Sequence, residues 1–370
     1  MSRLDSVRIL MTTDTVGGVW SHAITLSNAL AEFGAEIHLV TLGPAARVDQ
    51  RAAIEGTSIK LIETDLALEW QDPEATDLDR AREMLLRLER KIRPDVIHLN
   101  SYREATFDWH APVVVVAHSC VNSWGHACND TAFLAEPRWQ RYGELAAAGL
   151  ASASTWVAPT CAFGETIARI YTPPRPGVLI WNGVTPAFPT ILPKQTLVLA
   201  AGRMWDKAKN LAALEAVAGA VPCPIHVAGP GTEPGQQHSA INFLGELPQV
   251  ELWQRMLHAA IFASPALYEP FGLSVLEAAA AGCALVLADI PNFRELWQDA
   301  AIFVSVGDNQ ALCSAVSWLA TDTNACMALQ RAARRRARRY QRGRMAAGYA
   351  ELYLDLLSQR STHHSVEACA

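Results

Sequence analysis

Short apolar runs alternate with helix-length patterns along the whole 370-residue chain. Val7–Thr12, Glu36–Thr41, Ile59–Ile62, Val96–Asn100, Pro112–Ala117, Thr155–Ala158 and Gly177–Ile180 predict strands. Val113 to Val116 are four consecutive valines, the composition of a strand covered on both faces in a parallel sheet. Ser21–Phe33, Asp79–Lys91 and Arg138–Ser152 carry helical spacing, and Thr160 is placed to cap a helix over Cys161–Tyr171. The alternation then restarts, with strand-like runs at Thr196–Ala200, Ile225–Ala228, Ile241–Phe243, Ala260–Ala263, Ala284–Ala288 and Ala301–Val304. Between the halves, Trp181 to Pro193 holds an Asn-Gly pair with Pro186, Pro189 and Pro193, the composition of a linker. The pattern predicts two Rossmann-like, doubly wound parallel α/β domains, residues 1–181 and 194–344, joined by residues 182–193. Ligands in such sheets bind beyond the carboxyl ends of the strands, so the cleft between the domains is the expected site.

Composition narrows the classes. Half the residues are hydrophobic and 18% are charged, which excludes disorder as the main state. A formal charge of −6 argues against a general nucleic-acid binder. The excess is confined to residues 1–180, which carry 16 basic and 22 acidic side chains, against 15 of each in residues 181–370. No stretch reaches the roughly 18 apolar residues of a membrane span, and the start, Met1 to Asp5, lacks the apolar core of a signal peptide. With eight scattered cysteines read as reduced thiols, a cytoplasmic protein is expected.

Three segments carry candidate chemistry. Gly17-Gly18 stands at the turn from the first strand into a helix, where bare backbone and free N–H groups admit an anion such as a diphosphate; a tight turn alone is the bland alternative. Gly202-Arg203 and Lys209-Asn210 occupy the matching place in the second half, where a guanidinium and an ammonium can neutralise a diphosphate without a metal; a solvated turn is the alternative. The strongest segment runs from Tyr268 to Gly282. Glu269 precedes a small-residue helix expected to start near Leu273, and Glu277 falls in its first turns. Carboxylates in such apolar surroundings need hydrogen-bonding partners, which the vicinal diols of a sugar and a ribose supply.

Glu269-Pro270-Phe271-Gly272-Leu273 with Glu277 resembles the Glu-x7-Glu signature of the retaining family 4 (group 1) glycosyltransferases, which have the GT-B fold. The resemblance extends over residues 7–310 in the family's order. It takes in the glycine pair with His22, Asp95 to His98, Ala117-His118, Asn182-Gly183-Val184, Gly202-Arg203 with Lys209-Asn210, Phe243 to Gly245, and Pro291 with Glu295. It implies that Gly17 and Gly18 face the diphosphate or acceptor, that Arg203 and Lys209 hold the phosphates, and that Lys207 replaces Lys209 if the register shifts. Glu269 would orient donor-sugar hydroxyls beside the backbone N–H groups of Phe271, Gly272 and Leu273. Glu277 would bind the ribose diol, and His118 would lie near the reacting carbon. The implied activity is retaining transfer of a hexose from a UDP- or GDP-sugar to a saccharide, lipid-linked or small-molecule acceptor, with no cofactor and no metal. A C-terminal helix over residues 345–360 would return to the first domain, leaving residues 361–370 as a disordered tail. Thr185 and Asn100 depart from the family pattern, which commonly has Asp and a second His there.

Other features weigh against or beside this reading. Asp77-Leu78-Asp79 has the form of a metal-binding pair but precedes an amphipathic helix, where a cap is the expected role. His110, His118, Cys120, His126 and Cys128 match no zinc module. Arg331, Arg334, Arg335, Arg338, Arg339 and Arg342 recur at helical spacing, extended by Arg336 and Arg344. They predict a basic face for anionic lipid headgroups at the inner membrane surface, for the acidic first domain, or for solvent. Trp20, Trp109 and Trp124 flank the glycine pair and the His118 strand and are candidate stacking residues for an acceptor, with core packing the favoured alternative for each. A nucleotide-sugar epimerase of the same architecture and a non-catalytic nucleotide-sugar-binding regulator are the alternative functions.

Overall fold

The computed structural model describes residues 4–185, 193–232 and 240–367, and in it the valine run lies inside a seven-stranded sheet. The strands are β1 (Arg8–Asp14), β2 (Glu36–Leu42), β3 (Lys60–Glu63), β4 (Val96–Leu99), β5 (Val113–Val116), β6 (Thr155–Ala158) and β7 (Val178–Leu179). Their order is β3-β2-β1-β4-β5-β6-β7, and every pairing is parallel. All four valines are buried, which is why the sequence shows no apolar–polar alternation there. The helix Cys161–Tyr171 begins as its cap requires: the Thr160 side chain accepts a hydrogen bond from Phe163 N at 3.1 Å, a contact of about 1 kcal/mol.

The second sheet contains β8 (Gln195–Ala201), β9 (Ile225–Ala228), β10 (Ile241–Gly245), β11 (Ala259–Ser264), β12 (Ala284–Ala288) and β13 (Ile302–Val304), in the order β10-β9-β8-β11-β12-β13. It is also wholly parallel. Leu285 and Leu287 of β12 enter one core layer while Ala284 and Val286 enter the other, so the strand is covered on both faces. Ala278 and Ala279 of the helix Leu273–Ala280 are fully buried in the first of these layers; their small side chains let that helix lie close to the sheet.

The chain forms two compact units, Met1–Gly183 with Arg342–Ala370, and Val184–Gln341. Met345, Ala346, Tyr349, Ala350 and Tyr353 share one face of the helix Arg342–Glu367 and are buried in the core that β1 and the helix Gly18–Glu32 build. That helix starts three residues before the expected position. It also continues to Glu367, so the expected tail is corrected to helix up to that residue, and residues 368–370 lie outside the described residues. Most of the expected linker, residues 186–192, also lies outside them.

Two further expectations need correction. The arginines do not form one helical face: the helix Thr323–Ala337 stops before Arg338 and Arg339, and Arg342 opens the next helix. Tyr340 accompanies the break, buried between Phe271 and Trp297 with its hydroxyl donating to Leu296 O at 3.0 Å. Arg342 pairs with Glu32 at 2.9 Å and Arg336 donates to the Gln298 carbonyl, while Arg331, Arg335, Arg338 and Arg339 are exposed. Asp77 stands at the N-cap position, yet its carboxylate accepts from Ala67 N at 2.7 Å and from the Arg80 side chain at 2.5 Å instead of from a backbone N–H of the helix.

Candidate active site

In each sheet the strand order reverses between two neighbours, β1 and β4 in the first and β8 and β11 in the second. At such a switch point the following loops run in opposite directions and leave room for a ligand. The singled-out residues gather there. Gly17 follows β1, Asn100 follows β4, Gly202 and Arg203 follow β8, and Glu269 stands in the loop after β11.

In the second unit Lys209 Nζ lies 2.5 Å from Glu269 Oε2, with the two side chains 19% and 15% exposed. Arg203 follows the same strand end as Gly202 and is one-third exposed, with Asp206 Oδ2 at 3.5 Å and its guanidinium 5.5 Å from the Trp205 ring centroid. Asp206 is buried and accepts from Ala208 N at 2.9 Å, which holds the short turn Lys207–Lys209. That turn is tied to the Glu269 loop by Leu267 N donating to Ala208 O at 2.8 Å and by Asn210 Nδ2 donating to Pro265 O at 2.9 Å. From the other side Asn292 Nδ2 donates to Glu269 O at 2.9 Å.

The backbone around this cluster is packed to its limit. Gly229, at the end of β9, has φ +130°, and a Cβ there would stand 1.9 Å from Gly202 O, so no side chain fits. Gly272 has φ +83° at the start of the helix Leu273–Ala280, where no side chain caps the first N–H groups. Phe271 is buried against Tyr340 at 5.9 Å between centroids, so only its backbone is offered to a ligand.

Glu277 stands one turn into the same helix. Gln249 Nε2 donates to its Oε1 at 3.0 Å, and Trp253 supplies a second hydrogen bond. Burial pushes this carboxyl up to about 7, against the pull of both donors. A carboxyl in that state is poised to accept from hydroxyl groups, and ionises more readily once they arrive.

In the first unit Gly17 and Gly18 are exposed at the start of the helix Gly18–Glu32. The turn is braced from behind: Thr15 Oγ1 donates to Pro44 O at 2.8 Å, and Gln50 Nε2 donates to Thr15 O at 3.0 Å. His118, partly exposed after β5, packs edge-on against His22 with centroids 4.5 Å apart, and its Nε2 lies 2.6 Å from Asn100 Oδ1. His98 Nε2 lies 3.3 Å from the same oxygen and His98 Nδ1 2.6 Å from Tyr353 Oη. Burial lowers the pKa of His22 to about 4 and that of His98 to about 3, and lowers His118 well below the ordinary imidazole range. The three imidazoles are therefore neutral at physiological pH.

The structure thus brings Arg203, Lys209, Glu269, Gly272, Leu273 and Glu277 together in one unit, and Gly17, Gly18 and His118 in the other. Lys207, the alternative to Lys209, shares the same short turn. The tryptophans fare differently. Trp20 is 6% exposed and belongs to the core, which removes it as a stacking surface. Trp109 is half-buried with its indole N–H donating to Glu104 O at 2.8 Å, and Trp124 packs edge-on against Phe133. Sequence reasoning missed Gln249, Trp253 and Asn292, the partners of the two glutamates, and Gly229. The Gly229-Pro230-Gly231 turn at the end of a strand was the one local signal for this group. Among the described residues no group of three or more His, Cys, Asp or Glu is arranged to hold a metal ion, and no helix is long and apolar enough to cross a membrane.

Two Rossmann-like units with these sites at their switch points define the GT-B class. Residues 16–188 match the model of the Glycosyltransferase Family 4 domain, and residues 236–336 that of the Glycosyl transferases group 1 domain. The chain belongs to the group 1 glycosyltransferase family. It is similar to the sucrose-phosphate synthase of Thermosynechococcus elongatus, with a TM-score of 0.77 and 18% identity over 95% of this chain and 100% of that one. It is similar also to Anabaena Alr3699/HepE solved with UDP-glucose, with a TM-score of 0.72 and 16% identity over 94% and 99% of the two chains. These likenesses establish the GT-B fold. The lipopolysaccharide core biosynthesis mannosyltransferase LpcC of Rhizobium leguminosarum bv. viciae is 35% identical over 79 residues, 21% of this chain and 22% of the relative's length.

Proposed function

We propose that the protein is a retaining glycosyltransferase that moves a hexose from a nucleotide-diphosphate sugar to a saccharide, lipid-linked or small-molecule acceptor. The observation that carries this reading is the Lys209–Glu269 ion pair, with Glu277 held one turn into the adjoining helix. Family membership and the UDP-glucose held by HepE support it.

The geometry suits charge stabilisation. As the bond from the anomeric carbon to the diphosphate breaks, negative charge grows on the leaving group and positive charge on the sugar. Arg203 and Lys209 meet the first without a metal, and the carboxylate of Glu269 orients the sugar's hydroxyls. The acceptor oxygen bonds to the anomeric carbon on the face the diphosphate leaves, and its proton passes to a phosphate oxygen of the departing nucleotide. Glu277 holds the ribose diol, and Gly17 and Gly18 admit the phosphates or the acceptor. His118 faces the reacting sugar as an uncharged ring.

A thermal-shift panel of UDP, GDP, ADP and their sugars, in buffer containing EDTA, tests the donor site. The correct nucleotide at 100 times its dissociation constant stabilises the fold by about 2.7 kcal/mol. No shift with any nucleotide overturns the reading, and a shift without transfer to any acceptor favours a binding regulator. The exposed Arg331, Arg335, Arg338 and Arg339 are read as a contact for anionic lipid headgroups. Sedimentation with phosphatidylglycerol vesicles, lost with Arg331→Glu/Arg335→Glu and absent with phosphatidylcholine alone, tests that contact.

A further inference from the structure

The hydrogen bonds between β1, β4 and β5 settle where the protons lie. Asn100 Nδ2 donates to Thr12 O at 2.6 Å. A carbonyl oxygen only accepts, so the amide's own oxygen is the end that faces the imidazoles. That oxygen also only accepts. His118 Nε2, 2.6 Å from it, therefore carries a hydrogen, and so does His98 Nε2 at 3.3 Å. Both rings are neutral, so each Nδ1 is left with its lone pair. On His98 that lone pair accepts from the Tyr353 hydroxyl at 2.6 Å. His118 as a residue is partly exposed, while its ring is drawn in against His22 and Asn100.

We propose that Asn100 is a positioning residue that locks His118 in its Nε2–H form and so presents Nδ1 as a hydrogen-bond acceptor to a hydroxyl of the bound sugar. A ring in this form has no proton to give at Nδ1 and no charge. It orients a hydroxyl and serves neither as a general acid nor as a cation. Asn100 thus takes the role of a double acceptor, which an imidazole, with one lone pair at most, cannot fill. The contact with a sugar rests on the glycosyltransferase reading, whereas the tautomer does not.

The test is two-bond 15N–1H correlation on protein labelled with 15N-histidine, with His118 assigned through His118→Asn. Wild type is expected to show His118 as the Nε2–H tautomer from pH 6 to pH 8, as flagged by its ring nitrogens (about one bare and one protonated nitrogen per ring). Asn100→Ala is expected to give mixed tautomers and about tenfold lower kcat with an unchanged donor KM. Tyr353→Phe leaves Asn100 in place and is expected to keep the His118 tautomer. A wild-type His118 that carries its proton on Nδ1, or is charged at pH 7, overturns the proposal even if Asn100→Ala does not fold. An unchanged tautomer in Asn100→Ala also overturns it. If the tautomers behave as expected but no variant, nor wild type, transfers a sugar, it is the glycosyltransferase reading that falls, and with it the sugar contact.

Discussion

Replacing Lys209 by alanine is expected to lower the transfer rate by about 100- to 1000-fold, the usual loss on removing one preorganised group that meets developing charge. Two effects add. The ammonium is lost, and Glu269, whose Oε2 stood 2.5 Å from it, is left as a half-buried carboxylate that repels the incoming diphosphate. Glu269→Gln separates the effects, because it removes the repulsion and leaves Lys209 unpaired. That variant is expected to bind the nucleoside diphosphate at least as tightly as wild type while transferring sugar slowly. Lys209→Arg is expected to rescue little. The ammonium sits as a point charge 2.5 Å from Glu269 Oε2, and a longer, planar guanidinium does not put its charge at the same place. Initial rates of nucleotide release, with circular dichroism as a control on folding, measure all three. A Lys209→Ala enzyme with more than a tenth of the wild-type rate would remove Lys209 from the proposed role.

The strands were legible because a parallel sheet writes itself as short apolar runs. All thirteen expected runs coincide with strands, and the shifts are confined to their ends. The four valines need no long-range information, since burial on both faces dictates the composition locally. Site residues at strand ends were legible for a related reason: charged and glycine residues interrupt apolar runs there. Their partners were not. Gln249 and Trp253 reach Glu277 from another helix, and Asn292 reaches Glu269 from a third, so the contacts depend on packing across many residues. Asn100 looked like a departure from a pattern, and only the neighbouring strand's Thr12 carbonyl reveals which way its amide points. The arginine stripe failed in the opposite sense. Helical spacing continued through Arg342, but the spacing of charges carries no signal that Tyr340 is drawn into the core and the helix stops.

Nucleotide affinity is expected to weaken as the pH falls below about 7, by up to tenfold per unit, and to level off above it. Glu277 is the cause. Burial raises its carboxyl to about 7 in the free protein, whereas two ribose hydroxyls donating to it favour the carboxylate. Binding therefore expels a proton below that pH, and calorimetry in two buffers of different ionisation enthalpy counts it. The terminal phosphate of a nucleoside diphosphate also titrates near pH 6, so the decisive comparison is with Glu277→Gln. The phosphate contribution remains in that variant, and the steeper fall above pH 6 should vanish. Glu277→Ala is expected to lower affinity about 100-fold at pH 8, the worth of hydrogen bonds to a charged acceptor. The stability of the free protein runs the other way. A carboxyl held above its unfolded value binds its proton more tightly when folded. From this group stability is greatest at low pH and is lost as the pH rises from the ordinary carboxyl range to about 7. Opposite slopes for stability and affinity, both abolished in Glu277→Gln, would identify one buried carboxyl as the source of both. Equal wild-type affinities at pH 6 and pH 8 would mean that Glu277 does not touch the ribose.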